Sequence, residues 1–328
     1  MMLNEITIEI TQQCPNQCVH CSSLSCLSKT TRLSLPNVFE MIDDALSLGC
    51  KSISVSGGEP FLHPDLMDII RYIHKNGAKC VVYTSGITIE GGKPVSVPRH
   101  FLGIIHGMVE KYVVNVEAAD EETYDQIMGT SFHGFNMVKQ FISDAVSMGE
   151  NVEAHTVPMK LNYRQIPDIV NMCNSLGVSR VSFLRFVPQG RGLSNIHNLL
   201  LNENEMKEAR LLMSECVANS NVGIRLGIPF SDCSNRTDCQ TGTEKLVVRY
   251  DGNVYPCEAF KNEFSCNMIH SMPDNVKHNK LRDIYTDSAF LQEVREANKV
   301  FQCLNTCETC VNQYFRNQLL ISDEEIDR

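Results

Sequence analysis

Two rhythms of apolar residues alternate along this chain. Ile6, Ile8 and Ile10 recur at every second position, the period of a strand, and read as a buried strand that delivers the chain into a loop. A helical period follows, with Val38, Met41, Ile42 and Ala45 on one face over 36–48, Ser34 placed as N-cap and Gly49 just past the end. The strand Lys51–Val55 comes next, then a helix opened by Pro64 with Leu66, Ile69, Ile70 and Ile73 in phase and Gly77 as its stop, then the strand Lys79–Tyr83. A weaker helix near 98–108 precedes a strand over Val109–Val116. Val138, Phe141, Ile142 and Ala145 mark a helix over 136–148 before the strand Asn151–Thr156, and Ile166, Ile169, Val170 and Cys173 mark one over 165–176 before Arg180–Phe186. An amphipathic helix near 203–218 ends the series. The stretch 87–98, with Glu90-Gly91-Gly92-Lys93-Pro94, reads as an inserted loop.

Alternation of this kind predicts parallel strands joined by right-handed crossovers. Six strand–helix units fall short of the eight that close a barrel, so an open, partial (β/α)6 barrel of α/β class is expected over residues 1–230. Past residue 230 the rhythm stops, and 231–328 reads as a second, smaller domain. There Lys245–Tyr250 and Asn253–Pro256 flank Asp251-Gly252, a two-residue hairpin signal.

Composition narrows the function classes. Hydrophobic content of 43% with 21% charged residues is ordinary for a globular protein of 328 residues. No apolar run is long enough to span a membrane, and Glu5 and Glu9 interrupt any signal-peptide profile, so a cytoplasmic location is expected. The net charge of −10, with no basic block, argues against nucleic acid as a partner. Fifteen cysteines in such a chain point to metal or redox chemistry rather than disulfides.

Three of those cysteines sit in Cys14-Pro15-Asn16-Gln17-Cys18-Val19-His20-Cys21, a C-x3-C-x2-C spacing at the end of the first strand. Three thiolates suit an iron–sulfur cluster with one iron left open, while a zinc site stays possible on spacing alone. Polar residues also gather at the strand ends, where α/β folds collect chemistry: Ser56-Gly57-Gly58-Glu59-Pro60, Thr84-Ser85-Gly86, Asn115 and Glu117, His155, and Arg185. The paired glycines are expected to let a backbone approach a ligand closely. In the second region Cys239 and Cys257 flank the hairpin, and Cys307 and Cys310 follow much later. Four such thiolates would complete one closed metal site, a cluster or a zinc ion. Cys233, Cys266 and Cys303 are left over.

The cysteine motif followed one strand later by Gly57-Gly58-Glu59-Pro60 resembles the radical S-adenosylmethionine (radical SAM) enzymes over residues 1 to roughly 230. The resemblance implies that Cys14, Cys18 and Cys21 hold a 4Fe-4S cluster whose fourth iron binds SAM. It implies that Gly57, Gly58 and Glu59 meet the methionine amino group, with Pro60 closing the motif. Ser85, Asn115 and Arg185 fall where relatives touch the ribose or carboxylate. His20 stands where many relatives place an aromatic near the adenine, Asn115 replaces a more usual serine, and Met128 falls where many carry an arginine for the carboxylate, with Arg185 as its substitute.

The later cysteines resemble the SPASM and twitch extensions, and their spacing suits one auxiliary cluster on Cys239, Cys257, Cys307 and Cys310. Arg185-Phe186-Val187-Pro188-Gln189-Gly190-Arg191-Gly192 is similar to a stretch in peptide-modifying members. The resemblance thus implies a peptide substrate, a flavodoxin- or ferredoxin-type electron donor, and reductive cleavage of SAM followed by hydrogen abstraction. Epimerisation at an α-carbon is favoured, with Cys233 as hydrogen donor. Thioether or carbon–carbon cross-linking and small-molecule cofactor biosynthesis are the alternatives. Only thirteen residues precede Cys14, so a leader peptide is expected to be captured by the barrel mouth or by a separate leader-binding protein.

Overall fold

The computed structural model describes residues 2–227, 230–231, 239–261 and 269–303. The strands are β1 (Glu5–Thr11), β2 (Ser52–Gly57), β3 (Lys79–Thr84), β4 (Ile87–Glu90), β5 (Lys93–Ser96), β6 (Lys111–Asn115), β7 (Val152–Thr156), β8 (Arg180–Phe183), β9 (Gly223–Leu226), β10 (Lys245–Val248) and β11 (Val254–Tyr255). The main helices are α1 (Leu35–Ser47), α2 (Leu66–Lys75), α3 (Arg99–Ile104), α4 (Glu121–Met128), α5 (Gly134–Ser147) and α6 (Ile166–Ser175). They are followed by the short α7 (Arg191–Ser194) and α8 (Ile196–Leu199), then α9 (Glu203–Asn219), α10 (Leu281–Asp287) and α11 (Ala289–Cys303).

Among the described residues nine strands form one sheet in the order β11-β10-β1-β2-β3-β6-β7-β8-β9, with every neighbour parallel except the β10–β11 pair. The expected α/β architecture is therefore present, with three departures. Residues 87–96 are a β-hairpin, not a loop: Glu90 pairs with Lys93 across Gly91-Gly92, both left-handed, which is the primed turn a two-residue hairpin requires. A seventh strand of the series, β9, follows α9. The later hairpin, assigned to the smaller domain, joins the barrel's own sheet, because β10 lies parallel to β1 from Glu5↔Lys245 to Ile8↔Val248. Its loop is also longer than two residues. Arg249 pairs with Asn253 through its amide, and Gly252, at φ +94°, takes the left-handed position of a three-residue loop.

The two faces of the sheet differ in chemistry. Ile6, Ile8 and Ile10 of β1, Ile53 and Val55 of β2, and Val38, Met41, Ile42 and Ala45 of α1 are all buried in one apolar core. Each of the larger side chains among them contributes about 1.5–3 kcal/mol by leaving water. The opposite face is polar: the register sets Glu5, Thr7 and Glu9 beside Ser52, Ser54 and Ser56, and Asn115 beside His155, which pairs in turn with Ser182 and it with Arg225. Parallel strands packed by helices on both sides would be apolar throughout. This alternation marks one face as a polar inner face instead.

Candidate functional site

At the end of β1 the register slips between Glu9 and Thr11, a bulge that re-aims the chain into the cysteine loop. The loop returns at a narrow neck, where the Gln12 amide donates to the Thr31 carbonyl (2.8 Å) and that of Leu33 to Ile10 (2.9 Å). The Gln17 and Val19 amides donate to the carbonyls of Met128 (3.0 Å) and Ile127 (2.8 Å) at the end of α4. Met128 itself is buried in the apolar core. Opposite, Arg191 reaches over the loop: its Nε donates to the Cys18 carbonyl (2.8 Å) and its Nη2 to that of Ser25 (2.7 Å). Gly190, at φ +52°, lies so close to the loop that a β-carbon would stand 2.6 Å from the Cys21 carbonyl oxygen. The segment 185–192 thus acts as a strap on the cysteine loop.

Burial pushes the Cys14 thiol well above its ordinary range, reinforced by Cys18 and Glu59; burial and then Cys21 push Cys18 up as well. Thiols in this setting give up their protons only to a cation that takes the proton's place. Among the described residues no three His, Cys, Asp or Glu side chains converge on a single ion. A cluster does not ask that of them, since each thiolate binds its own iron. The loop also holds buried polar atoms with no hydrogen-bond partner among the described residues, namely both amide atoms of Asn16, Nδ1 of His20 and Oγ of Ser25. Orphaned groups of this kind cost about 1–3 kcal/mol each, so the loop suits a polar ligand of the kind a cluster with SAM provides.

The glycine pair lets two backbone segments meet closely. A β-carbon on Gly57 would lie 2.3 Å from the Thr11 carbonyl oxygen, and one on Gly58 2.1 Å from that of Gln13. The close contact is backbone against backbone, and the amides of Gly58 and Glu59 donate to Thr11 and Gln13 at 2.6 and 2.8 Å. The Glu59 carboxylate is fully buried and accepts four hydrogen bonds, from the Phe61 amide, Thr84 Oγ1, the Ser85 amide and Ser85 Oγ. Burial raises its pKa while those donors pull it down. Pro60 opens the single helical turn that this carboxylate caps. Ser85 is therefore oriented by Glu59, and Arg185 lies just past β8 in the strap.

Asn115 ends β6 and donates to Glu117 Oε1 (3.4 Å), whose other oxygen accepts from the Val157 amide (2.9 Å). Glu117 is fully buried, and burial lifts its pKa to about 7. His20 Nε2 stands 3.6 Å from the same carboxylate, but burial and then the Arg191 charge lower the imidazole to about 4. The close approach is thus a contact of a neutral ring, not an ion pair.

Below the loop the inner face carries charges. Lys261 Nζ pairs with Glu9 Oε1 at 2.6 Å, and Ser23 Oγ donates to the same oxygen (2.8 Å). Burial alone would lower the Lys261 pKa, but the neighbouring charges, Glu9 foremost and then Glu258, together raise it. Tyr250 donates to the Ser23 carbonyl (3.0 Å) and accepts from Gln12 (2.8 Å). Glu258 accepts from Thr7 Oγ1 (3.0 Å) and faces Lys245, whose ammonium also meets Glu5 at 2.8 Å. Residues after the hairpin therefore reach the cysteine loop directly. Cys239 and Cys257 are drawn to the same end of that hairpin by the Gly242 amide, which donates to Pro256 (3.1 Å). Cys307, Cys310, Cys233 and Cys266 lie outside the described residues. The sequence alone gives Arg191, Asn16, Glu9 and Lys261 no role in the site. Lys261 meets Glu9 across 252 positions of chain, a separation no local pattern announces.

A model of the radical SAM superfamily matches residues 8–173, just over half of the chain, and the chain belongs to that superfamily. It uses SAM and a 4Fe-4S cluster. More particularly, residues 239–311 match the SPASM model, an iron-sulfur cluster-binding domain, so the protein is a radical SAM enzyme with a SPASM domain and its auxiliary iron–sulfur cluster. A probable GTP 3′,8-cyclase of Methanococcus aeolicus is 25% identical over 262 residues, 78% of this chain and 85% of that protein. PqqA peptide cyclase of Gluconobacter oxydans is 22% identical over 307 residues, 92% of this chain and 81% of that one. Streptococcus suis SuiB, solved bound to precursor peptide SuiA, superposes with a TM-score of 0.71 over 90% of this chain and 67% of that one at 15% identity, a likeness of fold. No helix among the described residues is long and apolar enough to cross a membrane.

Proposed function

We propose that the enzyme modifies a peptide by hydrogen abstraction, with Cys14, Cys18 and Cys21 as ligands of the radical-generating cluster and Cys239, Cys257, Cys307 and Cys310 as ligands of the auxiliary one. The observation that carries this reading is the polar inner face of the sheet beneath the cysteine loop, in a sheet that among the described residues keeps two edges, β9 and β11. A polar face reached from an open sheet edge would admit an extended chain from the side. The likeness to a peptide cyclase and to a peptide-bound maturase supports the same substrate class.

When bound and reduced, the cluster supplies one electron that splits SAM into methionine and a 5′-deoxyadenosyl radical. The chain's own residues hold and seal the site. Arg191 fixes the cysteine loop, Glu59 orients Ser85, and Glu117 with Asn115 closes the side next to His20. The reaction favoured is inversion of an α-carbon. The α-hydrogen leaves to 5′-deoxyadenosine, the Cys233 thiol returns a hydrogen atom to the opposite face, and one electron and one proton restore that thiol. Cross-linking is the alternative within the same class, and it removes two hydrogens. The likeness to GTP 3′,8-cyclase favours a second reading, a small-molecule substrate.

The test is anaerobic turnover of the reconstituted enzyme with dithionite and candidate peptides, followed by mass and D-amino-acid analysis. A peptide that raises 5′-deoxyadenosine output and returns with unchanged mass and an inverted residue supports the reading. Loss of two hydrogens selects cross-linking, and stimulation by a nucleotide but by no peptide overturns the peptide assignment. Cys233→Ala is expected to release 5′-deoxyadenosine without inverted product.

A further inference from the structure

We propose that the rim made by residues 22–32 and 191–200 is the docking surface for an acidic one-electron carrier protein. The inference rests on the radical reading above, because each cleavage of SAM consumes one electron that the chain must receive from outside. The carrier is oxidised by one electron, and the cluster held in the cysteine loop is reduced by it.

Four observations converge on this surface. First, it covers the loop: Arg191 is bonded to the Cys18 and Ser25 carbonyls, its amide donates to the Cys21 carbonyl (3.0 Å), and Asn195 Nδ2 donates to that of Val19 (3.0 Å). Second, it is apolar where it is exposed. Leu24 is 43% exposed, Leu27 45% and Leu193 52%, an unusual concentration of large apolar side chains in two segments that Arg191 ties together. Leu24 also takes a left-handed backbone at φ 54°, a conformation a branched residue adopts only when the surrounding loop dictates it. Third, its charge is opposite to that of the whole molecule. In a chain of net charge −10, no Asp or Glu occurs between Glu9 and Glu40 or between Asp168 and Glu203, while Lys29, Arg32 and Arg191 do. The neighbouring α4 holds Glu121 and Glu122 in its first turn, at the end away from Gln17 and Val19, and Asp125 is engaged by Thr130. Fourth, an open cavity of about 480 Å³ indents this side, lined by Val19, Lys160, Asn195 and His197 among others.

An apolar patch bordered by cations next to a redox site fits a partner with an acidic rim around a partly exposed cofactor. Charge complementarity would speed the encounter, and the leucines would hold the complex long enough for transfer. A nucleic acid would need many more cations than this rim offers.

The experiment mixes anaerobic holoenzyme with fully reduced flavodoxin, an acidic carrier, and follows cluster reduction by stopped-flow absorbance and binding by calorimetry. Lys29→Glu/Arg32→Glu is expected to slow reduction and weaken binding about tenfold at low salt, with the difference shrinking as salt is raised. Leu24→Ser/Leu193→Ser is expected to weaken binding at every salt concentration. Dithionite, which needs no docking site, is expected to drive 5′-deoxyadenosine release equally in wild type and both variants. Equal reduction by flavodoxin in all three proteins overturns the docking surface while leaving the radical reading intact. Absence of 5′-deoxyadenosine from dithionite-reduced wild type overturns the radical reading, and this inference with it.

Discussion

Replacing Glu117 by glutamine removes a buried charge whose cost depends on pH. The carboxyl is shielded from solvent and burial lifts its pKa from 4.5 to about 7, against the opposing pull of the Val157 amide and Asn115. The folded chain therefore holds this proton more tightly than the unfolded chain. Between those two values the native state binds more protons, so stability falls as pH rises through the window. With one pKa unit worth about 1.36 kcal/mol, full ionisation costs about 3 kcal/mol, of which about 2 kcal/mol is lost between about pH 5.5 and about pH 8. His20 works in the other direction. Its imidazole is lowered from 6.5 to about 4, so its contribution is lost as pH falls through that range, equally in wild type and variant. Glutamine keeps an acceptor for the Val157 amide and cannot ionise. Urea-unfolding midpoints of the metal-free wild type and Glu117→Gln, each at the two pH values, isolate the difference from any fixed cost of the substitution. The variant is expected to lose about 2 kcal/mol less than wild type across the interval. Parallel pH dependence in the two proteins would refute the assignment of a raised pKa to Glu117.

Two further substitutions probe how the loop is held. Arg191→Ala removes hydrogen bonds to the Cys18 and Ser25 carbonyls, worth about 3 kcal/mol together for a charged donor, and is expected to speed iron loss to a chelator by up to about a hundredfold; Arg191→Lys is expected to fall between. Unchanged chelation rates would show that the strap does not hold the loop. Lys261→Met strands the buried Glu9 carboxylate and is expected to destabilise the chain by about 3–5 kcal/mol, whereas Lys261→Met/Glu9→Leu is expected to recover most of it in thermal unfolding.

Much of the barrel was legible because period and punctuation agree. Ile6, Ile8 and Ile10 alternate, the helices carry apolar residues at three- and four-residue spacing, and Gly49, Gly77, Gly149 and Gly177 all take the left-handed backbone expected after a helix end. Ser34 occupies the predicted N-cap position, but its hydroxyl makes no capping hydrogen bond, because position alone does not aim a side chain. Strand β9 was missed because Gly223-Ile224-Arg225-Leu226 is only four residues long and begins on a glycine, too little for a period to register. The hairpin at 87–96 was missed although Gly91-Gly92 carries its signal; Pro94, tolerated here because the two-stranded pair leaves edges free, reads as a breaker. The cysteine loop and its glycines were visible as a motif. What they touch was not: the carbonyls of Thr11 and Gln13, the guanidinium of Arg191 and the ammonium of Lys261 come together only in the folded chain.

The parallel pairing of β1 with β10 has a consequence for how the molecule is made. The strand that leads into the cysteine loop is synthesised well before its outer neighbour, which begins 240 residues later, from Glu5 to Lys245. At about 5–20 residues per second, that interval lasts about 10–50 s, during which the nascent barrel presents an unpaired parallel edge. A product terminated before Lys245 keeps this edge for good and is expected to stick to its own kind. Synthesis of β10 is thus what makes β1 safe.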